Sequence, residues 1–394
     1  MEAASLLELL PAARELEDEI VGLRRRLHQY PELSLEEAET SEIVGALLEG
    51  LGLEVRKGVG GYGVIAELRG GRPGPIIALR ADMDALPIQE ESGLPYSSKI
   101  AGKMHACGHD AHTAMLYGAA KLLAGRKDEL AGTVRFIFQA AEEVNEGAKA
   151  LIAAGGLDDV DEIYGLHNAP TLPAGMVATR AGSMMGSVDR FSATIQGKGG
   201  HGAMPEQCVD PIVAASAIVL SLQTAVSREI SPFDPAVITV GSIHGGNAYN
   251  VIPDQVEVSG TVRAYSPKVW DRLPRMLERL IETVAEAHRC SVDMRYERMV
   301  PVLVNREDNV LIVNRIAALL LGEDRVTEAD PVLAGEDFSV YLEQVPGCFF
   351  WLGSGPQKNA EQAYGLHHPK YTLDEGCLVT GAALLAAIPL ARYS

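Results

Sequence analysis

Acids, imidazoles and one thiol recur in this chain at the places where short apolar runs end. Asp82 and Asp84 follow Ile76-Ile77-Ala78-Leu79, Glu142 and Glu143 follow Phe136-Ile137-Phe138, and His167 follows Ile163-Tyr164-Gly165-Leu166. His105-Ala106-Cys107-Gly108-His109-Asp110-Ala111-His112 stands immediately ahead of a stretch of small and apolar residues with helical character. If the apolar runs are strands, each cluster sits just past a carboxyl end, the edge where open α/β sheets bind ligands. Cys, His and carboxylates together are the donor set of a borderline transition metal. The start of a helix also favours the thiolate form of Cys107. In the adjacent pair Glu142-Glu143, one carboxylate can bind a cation while its neighbour holds the water. A cation lowers the pKa of bound water toward about 7, and a free carboxylate in reach takes the remaining proton and later returns it to a leaving amine. That chemistry suits hydrolysis of an amide.

The elements that must position these groups can be read from spacing. Leu16, Ile20, Leu23 and Leu27 predict a first helix that stops at Tyr30-Pro31. Ser34 with Glu37 three positions on has the form of a capping box for a second helix ending at Gly50 or Gly52. Runs at 64–68, 76–79, 134–138 and 163–166 read as strands, with a helix at about 111–123 between them. This alternation argues for an α/β layer with a largely parallel sheet. Near Gly182 the character changes. Strand at 191–196, apolar helix at 211–227, strands at 236–243 and 256–264, amphipathic helix at 269–288 and strand at 291–296 give the order βαββαβ, which closes as a small sheet with both helices on one face. The expected division is 1–185 and 300–394 as two parts of one catalytic domain, with 186–299 inserted.

With 394 residues, 47% of them hydrophobic, the chain has material for a large core and is long enough for two domains. Its 34 Lys+Arg against 53 Asp+Glu give a formal charge of -19, which repels phosphate backbones and anionic lipid, so neither nucleic acid nor membrane is an expected partner. The longest uncharged runs, at 211–227 and 376–391, are broken by Ser, Gln, Thr or Gly and fall short of a membrane span. The acidic N-terminus lacks the features of a signal peptide. Five scattered cysteines do not form a disulfide framework, which points to a reducing, cytoplasmic home.

Seven motifs, in order along nearly the whole chain, carry a resemblance: Leu79-Arg80-Ala81-Asp82-Met83-Asp84-Ala85-Leu86-Pro87, the 105–112 run, Gln139-Ala140-Ala141-Glu142-Glu143, Gly165-Leu166-His167, Gly199-Gly200-His201-Gly202, Asn250-Val251-Ile252-Pro253-Asp254 and His367-His368-Pro369. The set resembles the dinuclear metallo-amidohydrolases of the aminoacylase and carboxypeptidase family, in particular the group of hippurate hydrolase, indole-acetyl-amino-acid hydrolase and N-acetyl-diaminopimelate deacetylase. The resemblance implies a zinc-peptidase-like α/β fold, a mixed, largely parallel sheet flanked by helices, with the insert as a lid and dimerisation domain. It implies that Cys107, His109, Glu143, His167 and His367 hold two divalent cations (Mn2+, Zn2+, Co2+ or Ni2+). It makes Glu142 the general base and then acid, and Asp84 the residue that orients a ligand. His201 becomes the stabiliser of a tetrahedral oxyanion in the partner subunit of a homodimer. Asn250 and Arg263 match substrate-binding positions, Arg263 being suited to a bidentate grip on a free carboxylate. The implied substrates are N-acyl (acetyl, benzoyl or aryl-acetyl) L-amino acids or small peptides. Because His367 and His368 are consecutive, the C-terminal ligand falls on one or the other.

Plainer readings stand beside these. A lone carboxylate after a strand ordinarily solvates a loop or caps a helix. His28, His244 and His288 lie in no cluster and read as structural or surface residues, and His105 and His112 could simply cap or pair. Cys208, Cys290, Cys348 and Cys377 read as small core hydrophobes. Two other functions fit the same residues: a thiol hydrolase with Cys107 as nucleophile, and a non-catalytic metal-binding protein of the same fold.

Overall fold

The computed structural model of the protein describes residues 3–392. The chain folds as two compact units. The first holds the residues up to Gly182, Val304–Asp330 and the residues from Val340 on; the second holds Ser183–Leu303 and Pro331–Ser339. The short segment Pro331–Ser339 thus groups with the inserted unit, although the chain has already returned to the first by Val304.

In the first unit, the strands Ala131–Gln139, Arg72–Asp82, Glu162–Pro173 and Gly347–Gly355 lie side by side in that order, all parallel. Both faces of this centre are covered, so its strands carry continuous apolar runs instead of an alternation; every residue of Gly347–Gly355 except Trp351 is buried. Antiparallel strands finish the sheet, Gly63–Arg69 and then Glu54–Val59 on one side and Val177–Thr179 on the other, followed by Val326–Glu328. The sequence pattern did not single out Glu54–Val59, Val177–Thr179 or Gly347–Gly355. The mixed, largely parallel sheet flanked by helices is nevertheless the one expected.

Register sets the site. Asp82 pairs with Gln139, so Asp84 and the pair Glu142-Glu143 leave neighbouring strands at the same level. His167 differs from expectation: it lies inside its strand, which runs on to Pro173. Pairing with Arg72–Asp82 stops at Gly165, however, and beyond it only Gly347–Gly355 remains alongside, so His167 sits where the sheet opens.

The helices His109–Ala124 and Gly376–Arg392 are buried along nearly their whole length. A Cβ on Gly118 would lie 2.7 Å from Ile20 Cδ1 and 2.9 Å from Ala382 Cβ, so the missing side chain is what lets three helices meet there. The helix Glu17–Gln29 adds a buried ionic group. Arg24 Nε lies 2.8 Å from Asp110 Oδ2, His28 Nδ1 lies 2.8 Å from the same oxygen, and His28 Nε2 lies 3.2 Å from Glu90 Oε1. The expected capping box is absent. The N–H groups of Glu39 and Thr40 at the start of the helix Ala38–Gly50 donate to the carboxylate of Glu32, at 3.0 and 2.7 Å, and Ser34 turns elsewhere.

The second unit is a four-stranded antiparallel sheet in the order Ala236–Gly245, Gln255–Ala264, Val188–Gln196, Ser291–Val300. Phe191, Ala193 and Ile195 alternate onto one face, where they meet Ala214, Ala215, Ile218 and Leu222 of one helix and Leu273, Leu277 and Ile281 of the other. This is the βαββαβ arrangement of the sequence reading. One expectation is corrected. The helical stretch Pro211–Glu229 reaches 19 residues and is long and apolar enough to cross a membrane, although its Ala214, Ile218 and Leu222 side belongs to the core of this unit.

The ionic group at His28 should shape stability against pH. Burial works against both charges, yet hydrogen bonds from His28, Ser92 and Ser98 outweigh it and hold Glu90 down at about 2, while Asp110 and Glu90 raise His28. The Glu90 contribution is complete above its ordinary 4.5 and is lost as the pH falls toward about 2. The His28 contribution is complete below its ordinary 6.5 and fades as the pH rises through the raised value. Urea unfolding of Glu90→Gln is therefore expected to start from a lower midpoint at neutral pH and to decline less steeply on acidification than the parent; equal slopes would assign the acid limb to other carboxylates.

Candidate metal centre and active site

Cys107 and His109 flank Gly108, which takes φ 87° ahead of the helix His109–Ala124. This is a position for glycine twice over, because a Cβ there would also run into the Asn168 amide and lie 2.6 Å from the Tyr371 hydroxyl. The same two side chains hold the turn. Asn168 Nδ2 donates to the Cys107 carbonyl at 2.6 Å, and the Tyr371 hydroxyl donates to Asn168 Oδ1 at 2.6 Å. His167 donates from Nδ1 to the Asn168 carbonyl at 2.8 Å, which leaves Nε2 as the ring's bare nitrogen, 3.3 Å from Cys107 Sγ. His112 lies beneath. Its Nδ1 donates to Asp82 Oδ1 at 2.6 Å and its Nε2 accepts the Asn168 N–H at 3.0 Å, so both nitrogens are committed and it pairs, as the plainer reading had it.

Asp84 gathers three segments. Its Oδ1 accepts from His109 Nδ1 at 3.0 Å, and its Oδ2 accepts both the Ser34 hydroxyl at 2.7 Å and the Glu143 N–H at 2.9 Å. His109 Nε2 then lies 3.7 Å from Asp82 Oδ2 and 3.8 Å from Glu143 Oε1, and the latter oxygen lies 3.4 Å from His367 Nε2. His367 is half exposed, takes a left-handed φ of 65° and is tied down by donation from its N–H to the Ala106 carbonyl at 2.8 Å. His368 faces elsewhere: it stacks on Tyr364 at 4.4 Å and its Nδ1 accepts the Lys370 N–H. Asn168 and Tyr371 carried no signal of their own in the sequence and Ser34 only that of a helix cap, because each acts on the backbone or side chain of a distant segment.

The electrostatics of this pocket favour a cation. Glu142, Glu143, Asp82 and Asp84 converge against one guanidinium, Arg80, whose Nη1 lies 2.7 Å from Asp82 Oδ2. Burial disfavours a charged His109, but Asp82, Asp84 and Glu143 outweigh it and hold the ring up at about 10. Burial, followed by His112, pushes His167 well down. Cys107 corrects the sequence expectation: burial, followed by the charges of Glu143 and Glu142, pushes the thiol well up, so the helix start does not yield a thiolate in the protein alone. Two buried polar atoms, His109 Nε2 and Glu143 Oε1, have no hydrogen-bond partner among the described residues. Both belong to overlapping groups whose donor atoms lie within 4.8 Å of one another: Cys107, His109 and His167; Cys107, Glu143 and His367; His109, Glu142 and Glu143. Shared thiolate, imidazole and carboxylate donors of this kind fit a borderline divalent metal.

His201, Asn250 and Arg263 belong to the second unit. His201 pairs with Val251, its Nδ1 accepts the Ala203 N–H at 3.0 Å, and the Asn250 carbonyl accepts the Gly202 N–H at 2.9 Å, so His201 and Asn250 share one exposed ribbon. That ribbon leads into the strand Gln255–Ala264 at its start, whereas Arg263 lies at its far end. At about 3.3 Å per residue the strand separates the two ends by roughly 25 Å. The structure thus does not bring Arg263 together with His201 and Asn250 within one unit. The Arg263 guanidinium is half-buried, and burial lowers it while the charge of Asp189 works the other way.

Comparison with known proteins agrees with this geometry. Residues 78–391 match the description Peptidase family M20/M25/M40. The chain is 42% identical over 370 residues to N-acetyl-L-cysteine deacetylase of Bacillus subtilis, covering 94% of this chain and 87% of that one. It is 44% identical over 378 residues to IAA-amino acid hydrolase ILR1-like 2 of Arabidopsis thaliana, covering 95% and 85%. Among solved structures, the YXEP protein of Bacillus subtilis, described as a dinuclear metal binding peptidase, superposes with a TM-score of 0.84 at 38% identity over 96% of this chain and 98% of that one. With the motifs, the sheet and the donor cluster all in place, the chain belongs to peptidase family M20/M25/M40 and is a hydrolase acting on amide or peptide bonds.

Proposed function

We propose that this enzyme is a metal-dependent amidohydrolase or carboxypeptidase that cleaves the amide bond of N-acyl L-amino acids (acetyl, benzoyl or aryl-acetyl) or small peptides. The observation that carries the reading is the buried pair His109 Nε2 and Glu143 Oε1, two donor atoms without partners at the centre of the cluster. Cys107, His109, Glu143, His167 and His367 would hold two divalent cations, of Mn2+, Zn2+, Co2+ or Ni2+. When bound, such cations polarise an amide carbonyl and acidify water. The residues of the chain do the rest. With a cation on Nε2, Asp84 would keep the one remaining His109 proton on Nδ1 and orient the ring. The Glu142 carboxylate takes a proton from the attacking water and delivers it to the leaving nitrogen. His201 stabilises the oxyanion, and Asn250 and Arg263 bind the free carboxylate of the amino acid. The names of the relatives, a deacetylase of N-acetyl-L-cysteine and a hydrolase of IAA-amino acids, support the substrate class. The five cysteines, all buried and unpaired, support a cytoplasmic location.

The ribbon of His201 and Asn250 and the residue Arg263 lie at opposite ends of the strand Gln255–Ala264, roughly 25 Å along it, so His201 with Asn250, and Arg263, would serve one reaction from two copies. The second unit has a surface suited to pairing. Its edge strand Ala236–Gly245 carries no Asp, Glu, Lys or Arg and exposes Val237 and Ile243, with Ile212, Val213, Leu220 and Phe233 exposed in the same unit. The opposite edge, Ser291–Val300, is guarded by Asp293, Arg295, Glu297 and Arg298, as lone edges ordinarily are. A homodimer through the uncharged edge is the arrangement that satisfies both.

One observation favours a second reading: the Cys107–His167 contact at 3.3 Å is the pairing a thiol hydrolase would use. The raised thiol weighs against it.

Four experiments test these assignments. Removal of metal with a chelator should abolish hydrolysis of N-acetyl, N-benzoyl and aryl-acetyl amino acids, and re-addition should restore it; Glu142→Ala should retain metal, measured by plasma emission, and lose turnover by about 100-fold or more. Cys107→Ser loaded to full metal content should keep measurable turnover, whereas complete loss at full occupancy would favour the thiol mechanism. Val237→Lys should sediment as a monomer and lose turnover together with the dimer, and a fully active monomer would remove His201 from its role in the partner.

A further inference from the structure

The turn that carries Glu142 and Glu143 leaves the strand Ala131–Gln139 and ends at the helix Gly147–Ala153. It is tight: the Asn145 N–H donates to the Glu142 carbonyl at 2.7 Å, and the Gly147 N–H to the Ala141 carbonyl at 3.0 Å. Ala141 and Asn145 both take left-handed conformations, at φ 57° and 60°. Asparagine tolerates this region; alanine is disfavoured there, because its Cβ crowds the backbone. Something outside the turn must hold Ala141.

Two buried carboxyl groups do so. Asp84 Oδ2 accepts the Glu143 N–H at 2.9 Å, and Glu37 Oε1 accepts the Ala141 N–H at 2.7 Å. Glu142 lies between the two clamped amides. Glu37 is fully buried, and its Oε2 has no hydrogen-bond partner among the described residues. Burial pushes its carboxyl up to about 7 against the pull of its backbone hydrogen bonds. Helix capping does not account for this residue, since Glu32 already takes the N–H groups of Glu39 and Thr40. Burying a carboxyl with one oxygen unmatched is costly; beside backbone contacts to Glu37 itself and Leu35, the Ala141 N–H is the contact made to a distant segment.

We infer that Glu37 is a positioning residue for Glu142: its buried carboxyl fixes the left-handed Ala141 peptide and with it the direction in which Glu142 leaves the backbone. The inference rests on Glu142 being the general base. Glu37 touches no substrate atom in this scheme. Its effect belongs to the alignment of Glu142 and so to kcat, with little on KM or on the cations.

The test is steady-state kinetics on the metal-loaded enzyme with Glu37→Ala, Glu37→Leu and Glu37→Gln, and with Glu32→Ala as the capping control. Glu37→Ala should lose about 10- to 100-fold in kcat, at unchanged metal content and with KM within about 3-fold. Glu37→Leu fills the volume without an acceptor and should behave alike, which keeps the test open if the alanine variant fails to fold. Glu37→Gln retains an oxygen for the Ala141 N–H and should recover most of kcat. Glu32→Ala should lower Tm and leave kcat in place. A folded Glu37→Ala or Glu37→Leu with the kcat of the parent would overturn the inference. So would a Glu37→Gln as slow as the alanine variant, or a Glu32→Ala that loses kcat equally. Full turnover by Glu142→Gln would instead overturn the base assignment beneath it, whatever the Glu37 variants do.

Discussion

A carboxylate can accept about four hydrogen bonds, and buried Asp84 uses its capacity to join three stretches of chain that are far apart in sequence. Its bonds to His109, Ser34 and the Glu143 N–H fix a ring, a loop and a turn relative to one another. The outcome is that His109 Nε2 and Glu143 Oε1 come within 3.8 Å of each other in a pocket lined by several carboxylates and the Arg80 guanidinium. Carboxylates gathered in this way favour a cation among them. The sheet, the glycine at 108 and the Asn168–Tyr371 pair all hold this arrangement in place.

Much of this was legible in the sequence, for a physical reason. Parallel strands buried on both faces write themselves as continuous apolar runs, so the runs at 76–79, 134–138 and 163–166 locate both the centre of the sheet and the residues beyond it. The inserted unit was legible because alternation in 191–196 and helical spacing in 269–288 each belong to one-sided burial. What failed was any inference that needs to know where a side chain turns. Ser34 and Glu37 have the spacing of a capping box, but Glu37 reaches a peptide 104 positions away and Ser34 reaches Asp84, while Glu32 does the capping. Nothing local distinguishes these outcomes. Cys107 failed for a related reason: proximity to a helix start is local information, whereas burial and the carboxylates that decide its protonation come from distant segments.

The two edges of the small sheet differ in charge. Charged residues along Ser291–Val300 forbid a neighbour, and their lack along Ala236–Gly245 permits one. Selection of one edge fixes the geometry of any second copy, because a strand accepts a partner only along its own axis.

The ionic group at Arg24 has a bearing on how the protein comes to be made. Arg24 contacts Glu375, 351 positions later, and the buried helix Gly376–Arg392 follows immediately. A ribosome delivers the chain from its amino end, so the interior of the larger unit cannot close before the helix Gly376–Arg392 has emerged. The stretch Ser183–Leu303 suffers no such delay and can acquire most of its contacts while synthesis continues. Until that helix arrives, the apolar surface it covers stays open to association.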